Sequence, residues 1–155
     1  MANLLVVLST WLHVLATIIM IGYYLFTSLI FLPIFEQRLQ ADALRDLLEQ
    51  ISARLRPYFG VSLLIFLVTG TYLLLINKNY LGFGDFFGNP WSVLIMVKHV
   101  LVLVFLALAI ISERIFLGQI GDQKPLALKQ FRWAIRIDTV LGVLILLLTA
   151  AAQAG

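Results

Sequence analysis

The chain contains two histidines, and these are its best candidates for chemistry. His13 and His99 each fall inside a long apolar stretch that is expected to cross a membrane. With about 1.5 Å of rise per helical residue, both lie about 12–15 Å below the outer boundary of the bilayer. Two neutral imidazoles at matching depth on different helices can bind iron axially while apolar side chains cover a porphyrin. The pair predicts a haem b site, although an intramembrane histidine can also simply bond a hydroxyl or carbonyl on the next helix.

The residues around the histidines are suited to such a site. Thr17 lies one turn after His13 on a polar stripe that is expected to face the bundle interior. Met96 shares the face of His99 with several apolar residues. Lys98 is the only Lys or Arg deep within a predicted span, and either it extends to the outer interface or it pairs with a haem propionate or an anionic substrate. Lys78, on the same side, could share that second role.

Copper is the less favoured cofactor. Met20 and Met96 would join the two histidines to give Cu(I) a set of thioether and imidazole ligands. The chain has three methionines and no cysteine, which is a poor ligand supply for a copper pathway. The lack of cysteine also excludes iron–sulfur clusters and covalently attached c-type haem.

The composition requires a membrane to position these residues. Of the 155 residues, 62% are hydrophobic and 12% are charged, whereas soluble domains have about 45–50% apolar and about 25% charged residues. The sequence predicts an all-α fold, an integral membrane four-helix bundle that forms a single membrane domain over 1–155. Each span needs about 20 apolar residues, and the predicted spans are about 3–33, 58–76, 91–116 and 133–152.

Two prolines and one amphipathic segment define the predicted first connection. Pro33 is expected to break the first helix, and Pro57 to open the second. Residues 37–55 have apolar positions at helical spacing, which predicts a cytoplasmic amphipathic helix. This helix is expected either to lie at the interface or to extend the second span.

Basic residues predict the orientation. Lys and Arg concentrate in the first and third connections, so the positive-inside rule places both termini on the outer side. The expected location is the inner (cytoplasmic) membrane of a bacterium. The expected partners are the lipid bilayer and either other membrane subunits or further copies of the chain, with no nucleic acid.

The two halves of the chain resemble each other. RPYFGVSLLIFLVTGT and RIDTVLGVLILLLTAA align without a gap, and at a slightly different offset His13 matches His99. The alignment suggests two helical hairpins of the same topology, related by an axis along the membrane normal. Two leucine-rich spans can also align by coincidence, so both interpretations stay open.

Charged residues gather at the predicted cytoplasmic ends of the third and fourth spans. We expect these residues to form salt bridges at the level of the lipid headgroups. Proton uptake by one of the acids is the less favoured role. The cluster comprises Glu113, Arg114, Arg132, Arg136 and Asp138.

Three segments resemble the copper-resistance protein D (CopD) superfamily, which includes the HemJ-type protoporphyrinogen oxidases. WLHVLATIIMIGYYLFTSLIFLPIF resembles its opening helix, WSVLIMVKHVLVLVFLALAI its tryptophan-to-lysine helix, and RIDTVLGVLILLLTAA its closing helix. The resemblance implies a small four-helix membrane protein and, in the HemJ branch, b-type haem and oxidation of protoporphyrinogen IX. His13 would then be the first-helix histidine and Lys98 the third-helix lysine, essential to catalysis. The chain lacks the additional histidines of that branch and carries His99 beside Lys98, which favours bis-histidine ligation.

Together these features predict a haem b-binding membrane protein in electron transfer, or a CopD-like subunit of a larger redox or photosynthetic membrane complex. Three alternatives stay open. They are a HemJ-type oxidase, a copper transport or resistance permease, and a purely structural membrane subunit.

Overall fold

The computed structural model describes residues 3–82, 84, 85, 87–120 and 125–154, and within these ranges the chain is helical with no strand. Four continuous helical segments are long and apolar enough to cross a membrane: Leu4–Glu36, Ala41–Leu75, Pro90–Gln119 and Leu126–Gln153. The predicted fold class is therefore confirmed, and the chain is an integral membrane protein. Its elements are α1 (Leu4–Phe26), a π-helical turn (Thr27–Phe31), α2 (Leu32–Glu36), α3 (Ala41–Leu75), α4 (Pro90–Ile111), a second π-helical turn (Ser112–Phe116), a 3₁₀ turn (Leu117–Gln119) and α5 (Pro125–Ala154).

The prediction that Pro33 breaks the first helix is wrong. Pro33 lies in the first turn of α2, and the helical segment continues to Glu36. Proline lacks an N–H and its ring clashes with the carbonyl four residues earlier. The π turn at Thr27–Phe31 widens the helix at that point, so the chain accommodates the ring without ending the span.

The prediction that Pro57 opens the second helix is also wrong. Pro57 lies in the interior of α3, which runs without interruption from Ala41 to Leu75. The amphipathic segment is thus an extension of the second span, one of the two arrangements expected from the sequence. At about 1.5 Å per residue, α3 is longer than the roughly 30 Å bilayer core. Its first turns bury Leu44 and Leu48 in the protein core rather than in lipid.

The third span begins within one residue of the prediction, whereas the fourth begins earlier. α4 begins at Pro90, where the Asn89 side chain caps the helix by accepting a hydrogen bond from the Ser92 N–H at 2.7 Å. It continues through the Ser112–Phe116 π turn, as the sequence predicted. α5 begins at Pro125 instead of residue 133, because Ala127 and Phe131 are buried and extend its packed face.

The helices pack unequally, and this leaves a groove. α1 packs against both α3 and α5, and α4 packs against α5. Within the described ranges, α3 and α4 approach each other little, so a groove separates them with α1 as its floor. The core beneath the groove is centred on Tyr24, Phe105 and Ile135.

Candidate functional site

His13 lies on α1 and makes a hydrogen bond to α3. Its Nδ1 atom is 3.0 Å from Thr69 Oγ1. The Thr69 hydroxyl lies 2.6 Å from the Ile65 carbonyl oxygen and donates its one hydrogen there. Thr69 therefore accepts from His13, so the imidazole carries its proton on Nδ1. This tautomer leaves a lone pair on Nε2, the atom that a metal ligand needs.

The His13 ring is held flat against α3. It stacks on Phe66 with ring centroids 4.4 Å apart and an interplanar angle of 21°. A Cβ atom at Gly70 would lie 2.9 Å from His13 Cε1, closer than side chains approach. The absence of a side chain at Gly70 thus makes room for the imidazole. Sequence reasoning missed Phe66 and Gly70, since only the approach of α1 to α3 reveals them.

Thr17 acts on the backbone rather than on the imidazole. Its hydroxyl donates to the His13 carbonyl oxygen at 2.7 Å, one turn earlier in α1. The residue is half-buried, as expected for the polar stripe.

His99 lies in a different environment on α4. Its side chain is exposed at the surface of the bundle, and its Nδ1 atom is 2.7 Å from the Ile95 carbonyl oxygen of its own helix. Because a carbonyl can only accept, His99 also carries its proton on Nδ1 and presents a lone pair on Nε2. Both imidazoles are therefore in the same tautomer, with a hydrogen bond at Nδ1 in each case.

His13 and His99 make no direct contact in the described structure, but they are close enough to interact electrostatically. The helical period gives a further relation. Leu106 and Glu113 follow His99 by seven and fourteen residues, so the three positions share a face of α4. Leu106 and Glu113 line the groove between α3 and α4. His99 therefore lies on the same face of α4, beyond Leu106.

The remaining predicted site residues are distributed around this pair. Lys98 is half-buried on α4 and interacts electrostatically with His13. Met96 is half-buried, whereas Met20 belongs to the protein core. Lys78 is exposed in the loop after α3 and makes no ion pair or hydrogen bond with another described residue. The structure thus brings Lys98, but not Lys78, to the histidines.

The groove between α3 and α4 contains a cavity of about 290 Å³. Its walls are mostly apolar. A few polar residues also line it: Tyr23, Arg56, Glu113 and Arg114. The Tyr23 hydroxyl is 3.0 Å from Ser52 Oγ, which links α1 to α3 beside the cavity. Neither histidine lines this cavity.

The predicted salt bridges form for one of the two acids of the charged cluster, because Glu113 lies 4.0 Å from Arg56. Arg132 of the cluster forms a two-point pair at 3.0 and 2.6 Å with Glu36, an acid outside the predicted cluster. Asp138 departs from the prediction, because it is 0% exposed and forms no ion pair within the described ranges.

The internal resemblance does not extend to the hydrogen bonds of the histidines. Thr149 aligns with Thr69, and each hydroxyl donates to the carbonyl four residues earlier. Thr69 also accepts from His13, whereas His99 bonds Ile95 and not Thr149. The two halves therefore position their imidazoles differently.

A family model described as copper resistance protein D (CopD) matches residues 49–152. The chain belongs to this family. The CopD match covers α4 and most of α3 and α5, including Lys98 and His99, and confirms the resemblance of those segments. It does not reach α1 or His13, and it does not single out the HemJ branch. No curated protein and no solved structure matches the chain.

Proposed function

We propose that this CopD-family membrane protein binds haem b between α1 and α4 and takes part in electron transfer. In this proposal the Nε2 atoms of His13 and His99 would hold the iron. The observation that carries it is the shared tautomer. In each imidazole the Nδ1 proton is donated inside the protein, so Nε2 is left to bind iron.

The donor set fits such a group. Each Nδ1 atom has an acceptor within hydrogen-bond distance, Thr69 for His13 and the Ile95 carbonyl for His99, an arrangement that orients metal-binding histidines and increases their basicity. The groove between α3 and α4 offers apolar walls, as a porphyrin needs. Lys98 supplies a positive charge near His13 for a propionate. Held by these two histidines, the haem would supply one-electron transfer.

The chain's own residues each have one task here. Thr69 and the Ile95 carbonyl hold the imidazoles in the Nδ1-protonated tautomer. Phe66 and Gly70 fix the plane of the His13 ring.

The test is the visible absorption spectrum of the detergent-purified full chain, oxidised and dithionite-reduced, with metal analysis of the same sample. We expect a low-spin b-type spectrum and about one iron per chain. His13→Ala and His99→Ala should each abolish the low-spin spectrum. Met96→Leu is the matched control, since it changes a neighbour of His99 without removing a nitrogen ligand. Low-spin haem that persists in either alanine variant would overturn this ligand pair.

Copper transport is the second candidate, and the description of the family is the observation that favours it. The described residues contain no group of three or more His, Cys, Asp or Glu that could hold a metal ion. A copper site would therefore depend on Met20 or Met96 beside a histidine. Colourless protein that copurifies with copper, and loses it in Met96→Leu, would favour this function. Colourless, metal-free protein from haem-sufficient cells would favour a purely structural membrane subunit.

We propose that both termini and the 77–90 loop lie outside the cytoplasm, in the inner membrane of a bacterium. The excess of Lys and Arg in the first and third connections supports this orientation. Because the chain has no cysteine, single cysteines introduced at Lys78 and at Arg38 can be labelled selectively. A membrane-impermeant thiol reagent applied to intact spheroplasts should label the first and not the second. In the membrane, the proposed partners are lipid and either another redox subunit or a second copy of this chain.

A further inference from the structure

Asp138 is a carboxylate in the core of the bundle without any partner from the protein. It is 0% exposed on α5, and neither carboxylate oxygen has a hydrogen-bond partner among the described residues. Glu36 and Glu113, by contrast, pair with Arg132 and Arg56. An isolated ionised carboxylate is strongly unfavourable in a low-dielectric interior, so its charge must be neutralised by something bound to it. Ionisable groups in this position inside a membrane are usually functional.

The helix that carries Asp138 packs against two unusual elements. The π turns Thr27–Phe31 and Ser112–Phe116 both contact α5. Each begins with a buried hydroxyl residue, Thr27 in the first and Ser112 in the second. π turns are rare, occur frequently at functional sites, and change the carbonyl pattern of the helix. Two of them against one helix mark this part of the bundle as a candidate functional region.

Oxygen atoms are the ligands available in this region. Thr139, the residue after Asp138, has its hydroxyl 3.1 Å from the Tyr24 carbonyl oxygen and 2.9 Å from the Ile135 carbonyl oxygen. This hydroxyl ties α5 to the end of α1, just before the first π turn. Carboxylate, hydroxyl and carbonyl oxygens are hard donors, which suit a proton or an alkali cation and not Cu(I).

Tyr24 connects Asp138 to the groove. Its ring is buried and lines the cavity between α3 and α4. It interacts electrostatically both with Asp138 and with Glu113, another lining residue. Tyr24 is therefore the residue through which Asp138 and the groove can affect each other.

Within the part of the chain that the structure describes, no basic side chain pairs with Asp138. Tyr24 interacts electrostatically with it. The other described titratable or charged groups of α5 and of the elements packed against it form neither an ion pair nor a hydrogen bond with Asp138: His13, Tyr23, Lys98, His99, Glu113, Arg114, Lys129, Arg132 and Arg136.

We propose that Asp138 is a monovalent-cation site at the centre of the bundle, at which a proton or Na⁺ binds the carboxylate reversibly. The site is separate from the histidines and does not depend on haem. It gives the protein a way to couple cation uptake to events in the groove, since Tyr24 belongs to both.

The test is infrared spectroscopy of the full-length protein in liposomes, over a pH series, with either NaCl or choline chloride as the salt. A protonated carboxyl group has a carbonyl stretch that is separate from the peptide bands and shifts in D₂O. We expect such a band at acidic pH, and we expect it to weaken as the pH rises. Asp138→Asn should lack the band, whereas Glu113→Gln and Asp85→Asn, the matched controls, should retain it.

Each outcome decides the proposal. A band that titrates equally in both salts identifies the proton as the occupant, and earlier loss in NaCl than in choline chloride identifies Na⁺ as a competitor. A band that changes neither with pH nor with Na⁺ would show a permanently protonated structural group and overturn the proposal. Wild-type and Asp138→Asn spectra that match at every pH would overturn it as well.

A second variant guards against misfolding of Asp138→Asn. Asp138→Leu replaces the carboxylate with an apolar group of similar size, which buried polar positions often tolerate without loss of stability. Because the folded chain binds the cation more tightly than the unfolded chain, lower pH or added Na⁺ should raise the melting temperature of the wild type. Asp138→Leu should fold and lose this response. An unchanged response in Asp138→Leu would argue against the site, and an altered haem spectrum would not be expected in either case.

Discussion

The two histidines lie on helices that the sequence presents as equivalents, yet their surroundings differ. His13 is clamped between α1 and α3 by a hydrogen bond to Thr69, a stack on Phe66 and the space left at Gly70. His99 is exposed and bonds only to the Ile95 carbonyl of its own helix. The first imidazole is therefore a packing element as well as a candidate ligand, whereas the second is free to reorient at modest cost.

The difference follows from how the hairpins pack. α1 lies in the middle of the bundle, with α3 and α5 on either side, so a polar residue on its inner face meets another helix. α4 has α5 as its main neighbour and borders the groove. A side chain at the same depth on α4 thus has an open side. Any group held by both histidines would be bound rigidly on one side and adaptably on the other.

The largest expected contrast is between the two alanine variants without cofactor. His13→Ala removes a hydrogen bond and a stacked ring, so it should lower the free energy of unfolding by about 2–4 kcal/mol. His99→Ala removes an exposed side chain and should change it by less than about 0.5 kcal/mol. Unfolding in mixed micelles, followed by circular dichroism, measures both. Equal losses would show that the two sites are structurally equivalent after all.

Gly70→Ala tests, from the α3 side, how tightly the His13 ring is packed. The added Cβ would meet His13 Cε1 at 2.9 Å, and this overpacking should cost about 1–3 kcal/mol. It should also displace the imidazole and weaken haem binding. Gly22→Ala, on α1, meets no atom within 4 Å and lies outside the residues that line the groove, so it is the control in the same unfolding and haem titrations. A neutral Gly70→Ala would mean that the His13 ring moves freely.

Thr69→Val tests the hydrogen bond itself. The isosteric valine removes the acceptor of the His13 Nδ1 proton, which should cost about 1 kcal/mol of stability and about tenfold in haem affinity. Thr149→Val is the matched control, because the Thr149 hydroxyl bonds only the carbonyl of Ile145. Haem titration of the two apoproteins compares them. A similar loss of haem affinity in both variants would indicate that Thr69 and Thr149 have the same role in the two halves.

The smallest expected effect concerns two ion pairs, Arg132 with Glu36 and Arg56 with Glu113. Arg132 meets Glu36 in a two-point pair at 2.6 and 3.0 Å, whereas Arg56 and Glu113 are 4.0 Å apart and Arg56 is largely exposed. Arg132→Gln should lower the free energy of unfolding by about 0.5–1 kcal/mol, and Arg56→Gln by less than about 0.3 kcal/mol, after allowance for solvent screening. High salt should reduce the loss of unfolding free energy in Arg132→Gln. A larger loss in Arg56→Gln would indicate that this arginine has a role in the groove.

Much of the fold was predictable because it depends on local composition. Runs of apolar residues specify helices that cross a bilayer, whatever their neighbours are. The ends were less predictable, as Pro33 and Pro57 show. Proline alone signals the end of a helix. A helix can nevertheless continue past a proline where a π turn widens it, or where it is packed before and after the proline. The start of α5 was missed for the same reason, since the burial of Phe131 is a property of the assembled bundle.

The candidate site was predictable only in part. His13, His99 and Lys98 stand out by residue type, because ionisable groups are rare in apolar spans. Phe66, Thr69 and Gly70 carry no such signal, since aromatic, hydroxyl and glycine residues are common in transmembrane helices. Their relation to His13 requires the approach of α3 to α1.

The sequence by itself determined that the chain is a four-helix membrane protein and which ionisable residues lie inside its spans. Those properties follow from hydrophobicity and charge, which act residue by residue. The tertiary structure alone decided that His13 is held against α3, that His99 faces outward, and that Asp138 is enclosed without a partner. The physical reason is that a helix presents a residue every 100° around its axis, and only packing determines which face meets protein and which meets lipid.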